Sequence, residues 1–266
     1  MIVDGKSIAE QMYEKIRTRI ENLGRTPVFT IITCEPNIET KKYLALKKKK
    51  TAQIGIRTEV IELGFDSTTE DVIASIESAT PHSDCILVQF PLPAHIDRDA
   101  VVQHIPLTHD ADVLNPENNS LLSPVVGAIV EILRVYEVDI SKRHVVILGS
   151  GKLVGLPAFK WFTEHGSAVS IVTKDTENIS YYTKHADIIV CGAGVPNVVT
   201  ADMVKDGVVI LDAGTTEDSG VLKGDASPDI EEKALLFTPV PGGIGPITIA
   251  VLLQNIVVLA EERLSI

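Results

Sequence analysis

The segment HVVILGSGKLVGLP, at residues 144–157, constrains the fold more than any other part of this chain. A run of β-branched and aliphatic residues leads directly into Gly149, Ser150 and Gly151, and Gly155 then begins a predicted helix. Small residues at such a turn let the backbone approach a pyrophosphate, whose charge is met by free N–H groups and the positive end of the helix dipole. Because strand, glycine turn and helix follow in that order, the segment predicts a dinucleotide-binding Rossmann unit.

The rest of the chain has the pattern of an α/β protein. Short runs rich in Val and Ile alternate with longer amphipathic stretches, which indicates βα units and a mostly parallel sheet. Strands are predicted at residues 28–34, 58–63, 85–88, 144–148, 168–172, 187–191 and 208–212, and helices at residues 8–20, 40–53, 69–78 and 125–136.

The periodicity breaks at HDADVLNPENNSLLSP, residues 109–124, which is rich in turn-forming residues. We therefore predict two domains. Residues 1–120 form an N-terminal α/β catalytic domain, and residues 121–245 form a C-terminal Rossmann-type domain. An apolar helix over residues 246–266, with Pro246 in its first turn, returns to the first domain.

Composition and charge exclude several classes of protein. The formal net charge of -12 argues against a nucleic-acid partner, because phosphate binding needs a dominant basic surface. No uninterrupted apolar run approaches the roughly 20 residues that span a bilayer, and the start, MIVDGKSIAEQM, lacks the pattern of a secretory signal. Cys34, Cys85 and Cys191 show neither CxxC spacing nor a nearby His pair, so we expect reduced, buried cysteines, no metal site and a cytoplasmic protein.

The end of the second Rossmann strand leaves the choice of nicotinamide cofactor open. Lys174 can neutralise a 2′-phosphate and favours NADP, whereas Asp175 can accept hydrogen bonds from an unphosphorylated ribose and favours NAD. We expect NADP, with NAD as the alternative. Small residues after the next two strands predict either ordinary turns or close backbone contact with the cofactor; they are Gly192, Ala193, Gly194, Asp212, Ala213 and Gly214.

The first half of the chain offers candidate catalytic residues. Tyr43 and Lys47 are spaced i and i+4 on a predicted helix, so both side chains lie on one face. The lysine run around them is typical of a solvated helix face, but a lysine beside a tyrosine hydroxyl in a cleft can serve in proton transfer. Gln89 ends a buried strand, and Asp112 lies in the turn-rich segment, where an Asx turn is the simpler interpretation.

Taken together, the motifs resemble the bifunctional methylenetetrahydrofolate dehydrogenase/cyclohydrolase family over almost the whole chain. The matching segments are VDGKSIA, YLALKKKKTAQIGI, VQFPLP, GSGKLVGLP, ADIIVCGAGVP and TPVPGGIGPIT. The resemblance implies that 5,10-methylenetetrahydrofolate lies between the two domains and gives a hydride to the nicotinamide. The methenyl product is then hydrolysed to 10-formyltetrahydrofolate. It also implies a homodimer formed through the cofactor domain.

The same resemblance implies roles for individual residues. Lys47 would be central to hydrolysis, poised by Gln89, while Tyr43 packs on or orients the folate and Asp112 hydrogen-bonds the pterin. The loop with Pro241, Gly242 and Gly243 would line the substrate pocket. The cofactor would contact Gly149, Ser150, Gly151, Lys152, Val154, Gly155, Thr173, Lys174, Gly192, Ala193, Gly194, Asp212 and Gly214.

The chain departs from the family pattern at two places. Val113 stands where the family has Gly after the key Asp, and the passage that follows is shorter, so we expect a reshaped loop on the folate side. In the cofactor turn, Ser150 replaces an Arg and Gly151 a Ser, and Thr173-Lys174 replaces a His-Ser pair. Two alternatives follow: a dehydrogenase of this fold without the hydrolase step or with another small substrate, and a non-catalytic folate- or nucleotide-binding protein.

Overall fold

The computed structural model describes residues 1–218 and 221–264, without the side chains of residues 38, 39, 43 and 218. The predicted role of the Tyr43 side chain therefore lies outside the described residues. The helices are α1 Gly5–Leu23, α2 Ile38–Ile54, α3 Thr69–Ala79, α4 Arg98–Gln103, α5 Pro124–Val135, α6 Gly155–Glu164, α7 Ile179–Thr183 and α8 Ile244–Glu262. The strands are β1 Val28–Cys34, β2 Arg57–Leu63, β3 Cys85–Val88, β4 His144–Leu148, β5 Ala168–Val172, β6 Ile188–Cys191, β7 Val209–Asp212, β8 Thr216–Asp218, β9 Val221–Lys223 and β10 Leu236–Phe237.

The chain divides into two compact units, each built from two stretches of sequence. One comprises Glu10–Ser123 and Ile249–Ile266, and we call it the Lys47 unit. The other comprises Met1–Ala9 and Pro124–Thr248, and we call it the Rossmann unit. Both are α/β units with parallel pairing of their main strands, which confirms the predicted fold class.

In the Lys47 unit, parallel strands pair in the order β2-β1-β3. Strands β1 and β3 are buried along nearly their whole length, as expected when helices cover both faces of a sheet. Helix α2 begins at Asn37, whose side chain accepts a hydrogen bond from the Thr40 amide, and ends at Gly55 in the left-handed conformation. These two caps set the ends of the helix that carries Lys47.

In the Rossmann unit, parallel strands pair in the order β10-β7-β6-β4-β5. The order therefore reverses between β4 and β6, because β5 follows β4 on one side and the later strands follow on the other. Ligands of open α/β sheets bind outside the carboxyl ends of the strands at such a switch point. Here those ends are Leu148 and Cys191, directly before Gly149 and Gly192.

The first nine residues lie in the Rossmann unit by their contacts, whereas the sequence places them at the start of the catalytic domain. They belong to the Rossmann unit because their backbone extends its sheet edge. Ile2 forms a parallel bridge with Phe237, and the Val3 amide donates to the Phe237 carbonyl at 2.9 Å. The paired residues are more than two hundred positions apart in sequence, so no local sequence pattern predicts the pairing.

Helix α8 begins two residues before the predicted start, and its residues from Ile249 onward belong to the Lys47 unit, as the predicted return implies. Its length and hydropathy are those of a helix able to cross a membrane, yet 67% of the relevant window is buried inside the protein. A core helix of a soluble protein has the same composition. Packing against the rest of the unit accounts for its apolar character.

Candidate active site

Lys47 and Gln89 meet in the Lys47 unit. The Lys47 Nζ atom donates to Gln89 Oε1 at 2.9 Å, and the lysine is only 5% exposed. Gln89 follows β3 directly, and its Nε2 atom donates to the Phe90 carbonyl at 2.7 Å. This second bond orients the amide so that its oxygen faces the lysine. Helix α2 and the end of β3 thus bring together two side chains that are 42 residues apart in sequence.

The surroundings of Lys47 favour its neutral form more than water does. Burial lowers the pKa of its amine, an effect opposed by the negative charge of Asp112. Burial likewise raises the pKa of the Asp112 carboxyl, and the charge of Lys47 opposes that shift. The site therefore pairs a lysine and an aspartate that each favour the uncharged state more than in water. Such perturbed groups are characteristic of sites that transfer protons.

The loop that carries Asp112 is held by a network that the sequence reading missed. The Asp110 carboxylate, which is fully buried, accepts from the Leu114 amide at 3.0 Å and from the Asn115 amide at 2.9 Å. Asn118 donates from its side chain to the Asp110 carbonyl at 3.0 Å. In the segment HDADVLNPENN, turn-forming residues at short spacing were the available signal, but that signal does not tell a structural aspartate from a substrate-binding one.

Val113 follows Asp112 with a φ of 55°, in the left-handed region. A β-branched residue there is strained, because its side chain crowds the following carbonyl. The resemblance places a glycine at this position, so the chain keeps a glycine-like backbone conformation without the glycine. The predicted reshaping of the loop as a whole stays a prediction.

The glycine turn of the Rossmann unit fits a dinucleotide. Gly149 has a φ of 92°, and a Cβ there would lie 2.7 Å from the Gly192 carbonyl oxygen. A Cβ on Gly155 would collide with the Gly149 carbonyl, so the start of α6 packs tightly on the turn. No side chain among the described residues hydrogen-bonds to cap this helix end. The turn thus combines a close backbone approach with a helix end that no described side chain caps, although the Leu156 amide donates to the Gly151 carbonyl at 3.1 Å. Both features suit a pyrophosphate.

Two buried aspartates brace the neighbouring loops. Asp225, which is fully buried, accepts hydrogen bonds from the amides of Ala193 at 2.7 Å, Gly194 at 3.1 Å and Val195 at 2.8 Å. Asp212, 2% exposed, accepts from the Gly214 amide at 2.9 Å and the Ala226 amide at 2.8 Å. The amides of Ala193 and Gly194 and the carboxylate of Asp212 are therefore engaged within the protein.

Backbone contact between Asp212 and the cofactor stays a prediction, and the Asp212 side chain is not available for it. Its carboxylate serves the fold of the two loops instead, and burial raises its pKa from the ordinary 3.8 to about 6, with the charge of Asp225 adding to the rise. Gly214 lies against Asp225 so closely that a Cβ would collide with the carboxylate. Close packing against Asp225 therefore requires a glycine at position 214.

The remaining predicted cofactor residues lie on the surface of the Rossmann unit. Ser150, Gly151, Lys152 and Lys174 are exposed, and Thr173 and Val154 are half-buried. The Thr173 hydroxyl accepts from the Asp175 amide at 3.3 Å, which shapes the turn after β5. The lysine that the sequence proposes for a 2′-phosphate is thus accessible to a ligand.

The predicted substrate loop, Pro241 to Gly243, also has a tight structure. Gly242 has a φ of 111° and accepts at its carbonyl from the Gly5 amide at 3.0 Å. A Cβ on Gly5 would collide with the Gly243 carbonyl, which explains a glycine at the start of α1. Its contact with substrate stays a prediction.

Comparison with known proteins gives a consistent result. Residues 3–112 match the family described as tetrahydrofolate dehydrogenase/cyclohydrolase, catalytic domain, and residues 124–264 match its NAD(P)-binding domain. The bifunctional protein FolD of Lactobacillus delbrueckii subsp. bulgaricus is 34% identical, with 98% of each chain covered.

Two solved structures agree over the whole chain. The FolD methylenetetrahydrofolate dehydrogenase/cyclohydrolase of Campylobacter jejuni has a TM-score of 0.96 and 32% identity, with 99% of each chain covered. The Trypanosoma brucei enzyme, solved with NADP and an inhibitor, has a TM-score of 0.94 and 30% identity, with 100% of this chain and 99% of that one covered.

Proposed function

Because this chain belongs to the tetrahydrofolate dehydrogenase/cyclohydrolase family, we propose that it oxidises 5,10-methylenetetrahydrofolate with NADP and hydrolyses the methenyl product to 10-formyltetrahydrofolate. The observation that carries the proposal is the buried Lys47, with its amine 2.9 Å from the Gln89 oxygen and its pKa lowered by burial. A binding protein has no need of such a group, whereas hydrolysis does.

In the hydrolytic step, the neutral Lys47 amine takes a proton from the water that adds to the methenyl carbon. One N–H of Lys47 donates to the Gln89 oxygen, so the nitrogen lone pair does not point at the amide. The bond between Gln89 and the Phe90 carbonyl keeps the amide in this orientation. The bond between the methenyl carbon and N5 then breaks, the hydroxyl proton of the adduct passes to N5, and the C=O of the formyl group forms on N10. The proton held by Lys47 is released to solvent.

Asp112 holds the pterin in this proposal. A carboxylate can accept two N–H donors from the ring, and such charge-assisted hydrogen bonds are about twice as strong as neutral ones. Its negative charge also limits how far the Lys47 pKa falls. Binding and proton transfer are thereby coupled through one charged pair.

The cofactor is held by the turn from Gly149 to Gly155 and the exposed residues around it, and NADP bound there supplies the hydride acceptor for the oxidation. Lys174 supplies a positive charge for the 2′-phosphate where the resemblance has no lysine. Replacing Lys174 with Ala is expected to raise the KM for NADP about tenfold and to leave the KM for NAD unchanged.

Lys184→Ala is the matched control, because Lys184 is also exposed in the Rossmann unit and is not a proposed cofactor contact. Equal effects of Lys174→Ala on both cofactors would contradict the assignment of Lys174. Binding of each nucleotide, measured by titration without substrate, gives a readout independent of turnover.

The principal test mixes the protein with 5,10-methylenetetrahydrofolate and either NADP or NAD, and follows reduced nicotinamide and the methenyl absorbance. Wild-type protein should form reduced NADP with little methenyl build-up, while Lys47→Ala should accumulate the methenyl compound. Lys48→Ala, an exposed lysine on the same helix, should behave as wild type.

Each alternative has its own outcome in this test. Methenyl build-up in the wild type would support a dehydrogenase that lacks the hydrolase step. Folate binding with no reduced cofactor would support a non-catalytic binding protein.

We also propose that the protein is a cytoplasmic homodimer without nucleic-acid or membrane partners. Its three cysteines are buried and unpaired, as suits a reducing compartment. Leu153, Leu156 and Phe159 expose apolar side chains near the start of α6, which supports a self-association surface there. Sedimentation of wild type beside Leu156→Glu tests it: loss of the dimer is expected, and an unchanged mass would reject this surface.

A further inference from the structure

We infer that Asn255 on helix α8 is a positioning residue for Asp112, an inference that rests on the proposed role of Asp112 in folate binding. The Asn255 Nδ2 atom donates to the Ala111 carbonyl at 2.8 Å and to the Leu122 carbonyl at 3.0 Å. Ala111 directly precedes Asp112 in the chain. The amide therefore holds the backbone next to the substrate-binding carboxylate.

The same amide ties together the two ends of the loop. Ala111 lies at its beginning and Leu122 at its end, and both amide hydrogens of Asn255 are used in the two bonds. Inside the loop, Asp110 accepts from the Leu114 and Asn115 amides. Asn255 thus fixes the loop to a helix, while Asp110 fixes its internal shape.

The burial of Asn255 indicates that its two hydrogen bonds have a structural purpose. It is 4% exposed on the apolar face of α8, where a polar side chain is costly unless all its hydrogen bonds are made. The adjacent Gln254 is exposed on the solvent side of the helix. The sequence signal for this residue is therefore a single amide within the buried apolar pattern of the last helix.

A shift of the Ala111 backbone by about 1 Å would move the Asp112 carboxylate by a similar distance, enough to weaken a bidentate contact with a ligand. Such a change raises the KM for the folate substrate more than it changes kcat. It does not reach the cofactor, whose proposed contacts all lie in the Rossmann unit.

The test compares Asn255→Asp with Gln254→Glu, which makes the same amide-to-carboxylate change one residue away on the exposed face. Asn255→Asp keeps the size of the side chain but removes the N–H donors from both carbonyls. We expect its KM for 5,10-methylenetetrahydrofolate to rise about tenfold, as in Asp112→Asn, with the KM for NADP within about twofold of wild type. Gln254→Glu is expected to match wild type in both constants.

Asn255→Ser retains one hydroxyl donor and is expected to give a smaller rise, which also provides a readout should the Asp variant fail to fold. A folded Asn255→Asp or Asn255→Ser protein with an unchanged folate KM, beside an Asp112→Asn protein with a raised one, would overturn the inference and leave the proposed function standing. An unchanged folate KM in Asp112→Asn would remove the role of Asp112 and the inference with it.

Discussion

The Lys47 site and the braced loops around Asp225 both bury charged side chains, but the partners of those side chains differ. In the Rossmann unit, Asp212 and Asp225 accept hydrogen bonds from backbone amides at both carboxylate oxygens. In the Lys47 unit, the lysine faces a neutral amide oxygen and an aspartate whose pKa is itself raised. Carboxylates bonded to backbone amides hold loops in shape. A lysine and a carboxylate that affect each other's pKa can instead take part in proton transfer.

The same contrast holds within three residues of one loop. Asp110 is fully buried and bonded to two backbone amides, whereas Asp112 is half-buried and acts on Lys47 through its charge. Residue type is identical at the two positions. Their burial and their partners separate the structural aspartate from the proposed substrate-binding one.

The largest expected effect comes from Lys47→Met, which removes the amine and keeps the buried volume. Methenyl hydrolysis should fall by about 10²- to 10⁴-fold, the usual contribution of a positioned acid or base. Thermal stability should be kept or improved, because a buried amine costs desolvation energy. Activity assays and thermal unfolding of the same protein measure the two effects. A lower melting temperature beside the lower hydrolysis rate would show that Lys47 also stabilises the fold and would remove the contrast with Asp225.

Asp225→Ala should have the opposite profile. Three amides would lose their acceptor, so the free energy of unfolding should fall by about 3–5 kcal/mol. Denaturant unfolding measures the loss, and Asp175→Ala, an exposed aspartate in the same unit, is the control. Full stability in Asp225→Ala would show that the loop amides find other partners.

Asp212 makes stability depend on pH. Its pKa is about 6 in the folded protein against the ordinary 3.8, so the folded state binds the proton more tightly than the unfolded chain does. Stability contributed by this group is therefore complete below about pH 4 and is lost as pH rises to about 6, by on the order of 2–3 kcal/mol. Unfolding curves between pH 4 and 7 should show a steeper dependence in wild type than in Asp212→Asn, where Asp110 and Asp112 still have raised pKa values; parallel curves would contradict it.

Val113→Gly should produce the smallest change, a gain of up to about 1 kcal/mol. It relieves left-handed strain of roughly 1–2 kcal/mol, offset in part by the greater freedom of glycine in the unfolded chain. Val195→Gly is the matched control, since Val195 lies in a loop outside the left-handed region and should lose stability. Melting temperatures that fall equally in both variants would show that Val113 is unstrained.

What the sequence predicts well is local. Strands Val28–Cys34 and His144–Leu148 have the predicted bounds, because consecutive β-branched residues favour extended backbone regardless of distant partners. The glycine turn at Gly149 also follows from adjacent residues. By contrast, β8, β9 and β10 are three residues or shorter and show no periodicity to detect.

The supports of the site are not local and were missed. Asp225 is 32 residues from Ala193, and Asn255 is 144 residues from Ala111. Only the folded backbone shows that these side chains meet amides or carbonyls and not a ligand. The sequence identified Lys47, Gln89 and Asp112 as candidates because resemblance supplied what spacing alone left open.

The pairing of Ile2 with Phe237, together with the return of α8, has a consequence for how the protein is made. Ile2 is synthesised more than two hundred residues before its sheet partner Phe237. The Lys47 unit likewise lacks Asn255 until helix α8 is synthesised. Neither unit can therefore complete its fold early in translation. Because each unit consists of two stretches of sequence, no single proteolytic cut would release either one whole, and the two units are made and degraded together.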